Sequence, residues 1–133
     1  SNGYRPEVLQ SLFDRGLVDY FAMDIKNSPE NYARTAGVET LDMGRIRESV
    51  DFIRSCGAAY EFRTTVVREL HCAQDFLSVG KWLQGCRAYF LQSYAESDGV
   101  ICKEFSSYTK EELEEFAVLL KPYISNVSLR GVD

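Results

Sequence analysis

The stretch Leu17-Val-Asp-Tyr-Phe-Ala-Met-Asp-Ile25 decides the fold class of this sequence. It is a nearly continuous apolar run of strand length, which is typical of a strand buried on both faces of a parallel sheet. A helix is predicted immediately before it, over Glu7–Arg15, because Pro6 can open a helix and Gly16 can end one. The first two predicted elements are therefore a helix and a buried strand.

Helical and strand-like patterns alternate after this stretch. The cap residue Ser28 and the following proline predict a short helix that ends by Gly37. Strands that alternate with helices indicate right-handed crossovers and a parallel sheet. The remaining predicted elements are a helix from Asp42 to Gly57, a strand over Ala58–Val67, a helix over Asp75–Gln84, a strand over Arg87–Tyr94, a polar loop over Glu96–Tyr108, a helix with a capping box at Thr109, and a strand over Val127–Arg130.

Four strands and their helices fit either an open doubly wound sheet or an arc of a (β/α) barrel. Ser1-Asn2-Gly3 directly precedes the first helix, and Asn2-Gly3 looks like the end of a strand that lies outside the chain. We therefore expect a truncated domain, namely an arc of a barrel. At 133 residues the chain has the length of one domain.

Composition excludes several function classes. The 15 Lys and Arg residues against 20 Asp and Glu residues give a net charge of −5, which argues against binding to a nucleic-acid backbone. No apolar run approaches the roughly 20 residues that a membrane-spanning helix needs, and the start does not resemble a signal peptide. We expect a soluble cytoplasmic protein with no nucleic-acid or membrane partner.

The four cysteines do not form a recognisable metal motif. Cys56, Cys72, Cys86 and Cys102 are far apart, and no CxxC or CxxxCxxC is present. They are also too sparse for a disulfide-stapled secreted domain, so we expect free thiols in a reducing cytoplasm. His71 stands beside Cys72, but adjacent residues point apart, which favours a loop before a helix over a catalytic pair.

Five polar residues stand where the predicted strands end. Asp24 and Lys26 are two positions apart, so they share one face of the first strand. Arg63 and Thr65 are spaced in the same way on the second strand, and Gln92 lies near the end of the third. An arginine in a β-branched run costs desolvation unless it meets a carboxylate or a phosphate. Because ligands of parallel α/β folds bind at the carboxyl ends of the strands, these residues are the candidate site.

Spacing alone leaves the chemistry of this site open. Asp24 and Lys26 could form a salt bridge with each other, and Arg63 could pair with Asp24 or with Glu61. In that case the chain is a non-catalytic α/β interaction module. A second alternative is half of a (β/α) barrel that binds a phosphorylated metabolite, with Lys26 and Arg63 as anion clamps. Arg130, in the last predicted strand, could contribute to the same rim, although a terminal arginine is more often a solvated surface residue.

The strand-end residues, in this order, resemble those of the radical-SAM activating enzymes. This family includes pyruvate formate-lyase activase and the anaerobic ribonucleoside-triphosphate reductase activating protein. The resemblance runs through essentially the whole chain. Tyr89–Gln92 and Leu129–Asp133 look most like the reductase-activating branch of the family. The matching stretches are Asn2-Gly3, Val18–Lys26, Tyr60–Val67, Tyr89–Gln92 and Leu129–Asp133.

The resemblance implies a partial (β/α) barrel with about four parallel strands and helices on the outer face. Its upper rim would hold S-adenosylmethionine against a [4Fe-4S] cluster, and cleavage of the cofactor would yield a 5′-deoxyadenosyl radical. That radical would take a hydrogen atom from a glycine of the partner. The partner would be a glycyl-radical enzyme of the anaerobic ribonucleotide reductase or pyruvate formate-lyase type.

The same resemblance implies roles for the strand-end residues. Asp24 would lie beside the methionine moiety of the cofactor, and Lys26 and Arg63 would contact its carboxylate and ribose region. Thr65 would line the same face. Gln92 and Tyr94 are candidates for the adenosyl end.

The family's cluster is ligated by a CxxxCxxC loop near its N-terminus, and this sequence has none. We therefore expect residues 1–133 to be the C-terminal half of such an enzyme, without the N-terminal cluster-binding half. On this view the chain holds no metal and no catalytic residue, and it is inactive alone. We also expect a partial barrel to expose an apolar inner face and an unpaired strand edge, and hence to self-associate.

Overall fold

The structure, a computed structural model, describes residues 5–94 and 104–132. Asn2-Gly3, residue 133 and the part of the predicted Glu96–Tyr108 loop before residue 104 lie outside the described residues. Helices and strands alternate along the chain as the sequence predicts. They are α1 (Pro6–Asp14), β1 (Tyr20–Asp24), a 3₁₀ turn (Pro29–Asn31), α2 (Tyr32–Ala36), α3 (Met43–Ser55), β2 (Ala59–Val66), α4 (Ala73–Trp82), β3 (Tyr89–Ser93), α5 (Lys110–Leu120) and β4 (Val127–Arg130).

The described strands form one parallel sheet in the order β1-β2-β3-β4. Because this order follows the chain, every crossover runs in the same direction, and right-handed crossovers then place the helices on one face of the sheet. In a doubly wound sheet the helices would cover both faces. The predicted fold class is confirmed: the chain is α/β, and its sheet is that of a partial (β/α) barrel with four parallel strands.

The apolar core lies between the helices and one face of the sheet. Alternate strand residues point to this face, and Met23, Phe62 and Leu91 are among those fully buried there. Each helix of the two described ranges is too short or too polar to cross a bilayer. The helices cover the sheet with residues at helical spacing, namely Ile46, Val50 and Ile53 on α3, Phe76 and Val79 on α4, and Leu113, Phe116 and Leu120 on α5.

The first strand is shorter than the apolar run that predicts it. The run covers Leu17–Ile25, whereas β1 covers Tyr20–Asp24. Gly16 has a φ of +69°, which turns the chain out of α1 just before the run begins. Leu17 is left 59% exposed on the way to the sheet. The apolar pattern therefore extends beyond the part of it that pairs with β2.

The sequence predicts side-chain caps at Ser28 and Thr109, and only the second is present. The Ser28 side chain makes no capping hydrogen bond; its hydroxyl donates to Asp75 Oδ1 at 2.8 Å. Asp75 also accepts from Asn31 at 2.7 Å, so a buried carboxylate takes both nearby donors. At α5 the Thr109 hydroxyl accepts from the Glu112 amide at 3.1 Å, and the Glu112 carboxylate accepts from the Thr109 amide at 3.0 Å.

The face of the sheet away from the helices is mostly polar, although Ala22 and Phe90 also lie on it, so the expected apolar inner face is wrong. The side-chain period of a strand is two, so the charged residues at alternate positions of β2 all project to this one face. Polar residues of β1, β3 and β4 lie beside them in the register. Self-association stays a prediction, but it can no longer rest on an apolar face. The polar residues on this face of the sheet are Asp24, Glu61, Arg63, Thr65, Gln92, Ser128 and Arg130.

Candidate functional site

A cavity of about 480 Å³ opens at the carboxyl ends of β1, β2 and β3. Small-molecule sites in proteins have volumes of roughly 300–1,000 Å³. The cavity brings together the strand-end residues that the sequence singles out, and it adds wall residues that the sequence did not assign to the site. The five predicted residues that line it are Asp24, Lys26, Arg63, Thr65 and Gln92.

Asp24 lies between two cations at the rim of the cavity. Arg63 Nε donates to Asp24 Oδ1 at 2.6 Å, and Lys26 Nζ lies 3.8 Å from Asp24 Oδ2. The register places Asp24 directly beside Arg63. The hydrogen bond to Asp24 raises the pKa of Arg63 above its ordinary value. Between 34% and 40% of each side chain is exposed, so all three remain open to a ligand.

Residues with hydrogen-bonding groups that have no side-chain partner among the described residues also line the cavity. Thr65 and Gln92 are neighbours in the register of β2 and β3, and both side chains are half-buried. Within the described residues, the Thr65 hydroxyl, the Gln92 amide and the Nη groups of Arg63 have no side-chain hydrogen bond. These groups can therefore bind a polar ligand without first breaking a contact with the described part of the chain.

One wall of the cavity is aromatic. Tyr94 follows β3 and Phe105 precedes α5, and both line the cavity. Their ring centroids are 6.1 Å apart in an edge-to-face arrangement. Tyr94 lies at the strand end where the sequence places a candidate. Nothing in the sequence pattern singles out Phe105, because it lies in a predicted polar loop and not at the end of a predicted strand.

His71 is buried in the cavity wall and bridges two backbone segments. Its Nδ1 accepts from the Val67 amide at 3.0 Å, and its Nε2 lies 2.8 Å from the Lys26 carbonyl oxygen. Burial lowers the pKa of His71 below its usual value. The sequence correctly places this residue in a loop before a helix but does not indicate that its ring reaches the cavity. The adjacent Cys72 thiol contacts Asp75 at 3.4 Å instead of the ring.

The segment before α5 holds the loop that carries His71. The Tyr108 hydroxyl donates to the His71 carbonyl oxygen at 2.6 Å. In the same loop, Arg68 pairs with Glu112 of α5 at 2.5 Å. This hydrogen bond from Arg68, followed by that from the Thr109 amide, lowers the pKa of Glu112 to about 2. The loop that carries His71 is thus held by contacts with Tyr108 and Glu112 on one side and by the contact of the His71 ring with Lys26 on the other.

A second charged group lies on the same face of the sheet, away from the cavity. Glu61 is 6% exposed, and Arg130 donates to both of its oxygens, at 2.7 and 3.1 Å. The guanidinium reaches Glu61 across β3, 3.6 Å above the ring of Phe90. Burial acts to raise the pKa of Glu61, but hydrogen bonds from Arg130 and Tyr20 hold it below its usual value. Arg130 is thus partly solvated, with 40% of its side chain exposed, but it pairs with Glu61 and does not line the cavity.

The described residues do not fit an iron–sulfur cluster. Among them, no group of three or more His, Cys, Asp or Glu side chains could hold a metal ion. Cys56, Cys72 and Cys86 are free thiols, and none of the three lines the cavity. Burial raises the pKa of Cys86 to about 11, so it is a buried neutral thiol at neutral pH. Cys102 lies outside the described residues.

The chain is similar in sequence to a protein of Methanocaldococcus jannaschii whose name gives it as a candidate glycyl-radical enzyme activating enzyme. The two are 28% identical over 140 residues, which cover 100% of this chain and 58% of that protein. The chain thus spans less than two thirds of the length of this relative. No protein-family model matches the sequence.

The fold is similar to that of a solved domain of a pyruvate-formate lyase-activating enzyme from Bacteroides vulgatus. The TM-score is 0.72, and the match covers 96% of this chain and 75% of that one. At 10% sequence identity this match concerns the fold alone. Together the two comparisons confirm the resemblance stated from the sequence: this chain is similar to the radical-SAM activating enzymes of glycyl-radical enzymes and has the fold of part of their barrel.

Proposed function

We propose that this chain supplies part of the S-adenosylmethionine site of an enzyme that activates a glycyl-radical enzyme. One observation carries the proposal: the strand-end residues selected from the sequence line a single cavity of about 480 Å³. The sequence relative supports the reaction class, because its name gives it as an activating enzyme of this kind. The fold match supports the architecture, because (β/α) barrels in general bind their ligands at the carboxyl ends of the strands.

The groups in the cavity complement the chemistry of S-adenosylmethionine. Its methionyl end carries a carboxylate and an ammonium group, which suits a site with two cations and one carboxylate. In this proposal Arg63 and Lys26 bind the carboxylate, and Asp24 attracts the ammonium group. Thr65 and Gln92 hydrogen-bond to the ribose and the adenine, and the aromatic wall excludes water from that end.

The wider assignment belongs to the same proposal. The chemistry that S-adenosylmethionine supplies, when it is bound beside a reduced [4Fe-4S] cluster, is a 5′-deoxyadenosyl radical for hydrogen abstraction from a partner's glycine. We place the cluster ligands in an N-terminal half outside residues 1–133, so that this chain is inactive without that half. We also propose a cytoplasmic location and a partner of the anaerobic ribonucleotide reductase or pyruvate formate-lyase type.

One observation favours the alternative of a non-catalytic interaction module. Asp24 is already paired with Arg63 at 2.6 Å and with Lys26 at 3.8 Å, as purely structural salt bridges would be. The two interpretations differ in what these residues do when S-adenosylmethionine is added. A structural pair changes stability and binds nothing, whereas a site residue changes affinity.

The test is equilibrium binding of S-adenosylmethionine to the full-length protein that carries this sequence, reconstituted without oxygen. Arg63→Ala should weaken binding by about tenfold or more, because a charge-assisted contact worth about 1.5–3 kcal/mol is lost. Thr65→Val should weaken it by a smaller factor. Arg87→Ala is the matched control, because Arg87 is exposed at the opposite end of β3.

Melting temperatures of the same variants separate binding from folding. The pair between Arg63 and Asp24 is partly exposed, so its loss should cost at most about 1 kcal/mol of stability. Dithionite-dependent release of 5′-deoxyadenosine should fall in Arg63→Ala and stay unchanged in Arg87→Ala. If Arg63→Ala binds the cofactor as the unmodified protein does, the charges are structural and the proposed site is wrong.

A further inference from the structure

After β1 and β2 end, the ring of His71 connects backbone groups of the two chain segments that continue from these strands. The Ile25 amide still donates to the Arg63 carbonyl oxygen at 2.7 Å. Beyond this hydrogen bond, the ring of His71 bridges the Lys26 carbonyl and the Val67 amide, which lie one residue after Ile25 and four residues after Arg63. A direct hydrogen bond would hold such a nitrogen and oxygen about 2.9 Å apart. Here the ring and two hydrogen bonds lie between them, so the Lys26 carbonyl and the Val67 amide are farther apart than a direct hydrogen bond would hold them.

The two contacts determine which ring nitrogen carries the proton. The Val67 amide can only donate, so Nδ1 accepts, and the Lys26 carbonyl can only accept, so the proton is on Nε2. A proton on Nδ1 would face the Val67 carbonyl at 3.2 Å but would leave two acceptors 2.8 Å apart at Lys26. His71 is 3% exposed, which also favours the neutral ring. Because both nitrogens are engaged, the ring is not free to act as a general acid or base.

The ring is also held in its plane by packing. It stacks on Phe76 of α4, with ring centroids 5.9 Å apart and an interplanar angle of 22°. On the backbone side, the His71 carbonyl accepts from Tyr108 at 2.6 Å. A ring held by α4 on its face and by backbone groups on both nitrogens has little freedom to move. It is therefore a rigid spacer between the end of β1 and the loop after β2.

We infer that His71 is a positioning residue of this site, because its neutral ring sets the separation between the Lys26 segment and the Val67 loop. Both segments line the cavity, and Lys26 is one of its two cations. The separation therefore sets where Lys26 stands relative to Arg63 on the neighbouring strand. This inference rests on the proposed function, since it assigns the spacing to cofactor binding.

The experiment compares three variants of the full-length protein that carries this sequence. His71→Phe keeps a ring on Phe76 and removes both hydrogen bonds. His71→Gln keeps an amide that can donate to Lys26. Val79→Ala is the control for a general loss of stability, because Val79 is buried in α4 and does not line the cavity. Binding of S-adenosylmethionine is measured by calorimetry, and exchange of the Val67 amide hydrogen is measured by NMR.

His71→Phe should weaken binding of S-adenosylmethionine by about tenfold or more, as the loss of a supporting contact does at other sites. It should also speed exchange of the Val67 amide relative to Val79→Ala at matched global stability. His71→Gln should recover most of the affinity. Equal affinity in His71→Phe and the unmodified protein, or an equal loss in Val79→Ala, would overturn the inference.

The proposed function and the inference about His71 are contradicted by different results. If the unmodified protein does not bind S-adenosylmethionine, the proposed function fails, and the positioning role in cofactor binding fails with it. If the unmodified protein binds and His71→Phe binds equally well, only the inference about His71 fails. The exchange of the Val67 amide reports on the bridge itself in either case, because it requires no cofactor.

Discussion

His71 is the only histidine of the sequence. Histidine is the side chain whose ordinary pKa, about 6.5, lies nearest to neutral pH. Burial has the largest effect on its pKa and lowers it. Two charged groups also act on the ring: Asp75 raises its pKa and Arg34 lowers it further. Carboxylates such as Glu61 and Glu112 have pKa values below the ordinary value of glutamate, so they titrate at a more acidic pH than histidine does.

Stability should therefore fall as pH decreases from 7 to 5. The ordinary pKa of histidine is about 6.5, and that of folded His71 is lower, so the unfolded chain binds more protons in this range. Protonation then favours unfolding, with a limit of about 1.4 kcal/mol per pH unit for one proton. Urea unfolding at pH 7, 6 and 5 measures the change. His71→Gln should remove most of it, and an unchanged slope in that variant would contradict the prediction.

The five strand-end residues could be predicted because a strand has a fixed side-chain period. Positions two apart share a face, and parallel strands bring their carboxyl ends to one edge. Residues such as Phe105 and His71 could not be assigned to the site in this way. They reach the cavity from loops, whose paths depend on tertiary contacts that no local pattern encodes. The pairing of Arg130 could not be predicted for a related reason, since its partner Glu61 lies 69 residues away.

Among the elements, α4 packs unusually closely against the segment that follows α5. A Cβ atom at Gly80 would lie 2.7 Å from Cδ2 and 3.1 Å from Cγ of the Tyr123 ring. The Tyr123 carbonyl also accepts from the Gly85 amide at 2.9 Å, which holds the segment in place. Gly80 is therefore required by this close approach, although glycine is a poor helix former.

Gly80→Ala should lower stability despite its better helix propensity. The propensity gain is about 1 kcal/mol, whereas overpacking in a well-packed core costs about 1–3 kcal/mol. The measurement is the urea midpoint, with Ser78→Ala in the same helix as the control. Adding Tyr123→Ala should reduce the additional cost of Gly80→Ala. A Gly80→Ala variant more stable than the unmodified protein would show that the segment can move aside.

Thr109→Ala should destabilise the start of α5 by about 1 kcal/mol, the typical value of an N-cap hydroxyl. The hydroxyl accepts from the Glu112 amide at 3.1 Å, and alanine leaves that amide without its partner. Thr109→Ser keeps the hydroxyl and should behave like the unmodified protein. Thermal unfolding of the two variants measures the difference, and equal melting temperatures would contradict the capping role.

At the scale of the whole molecule, one ion pair ties β4 to β2 across the intervening strand. Glu61 is buried and accepts from both Arg130 and Tyr20, so its charge depends on partners from two other strands. Breaking a buried pair by removing one partner is costly, because the other charge is left without compensation. The polar face of the sheet is therefore part of what stabilises the fold.

Arg130→Ala should cost about 2 kcal/mol of stability, below the usual 3–5 kcal/mol for a fully buried pair, because the Arg130 side chain is 40% exposed. The double variant Arg130→Ala with Glu61→Gln should recover part of the loss, since no unpaired charge remains. Chemical denaturation of both variants, with Arg87→Ala as control, measures the effect. A single variant no less stable than the control would show that Glu61 is adequately solvated without Arg130.

The parallel sheet could be predicted from the alternation of elements, and its strand order follows from the same pattern once right-handed crossovers are assumed. The character of the inner face could not be predicted by treating the barrel interior as an ordinary core. The sequence offers Asp24 or Glu61 as partners of Arg63, but it does not indicate that Glu61 pairs with Arg130. The register brings these charges onto one face of the sheet together with residues of β1, β3 and β4.

The strand order of the sheet has a consequence for how the chain is made on the ribosome. Each strand is a neighbour of the one that emerged before it, so the sheet can grow in step with synthesis. The ion pair of Glu61 is an exception, because its partner Arg130 follows 69 residues later, on β4. Until Arg130 emerges, Glu61 lacks its cation from β4 and has only the hydrogen bond from Tyr20, so the buried ion pair can form only after β4 has been made.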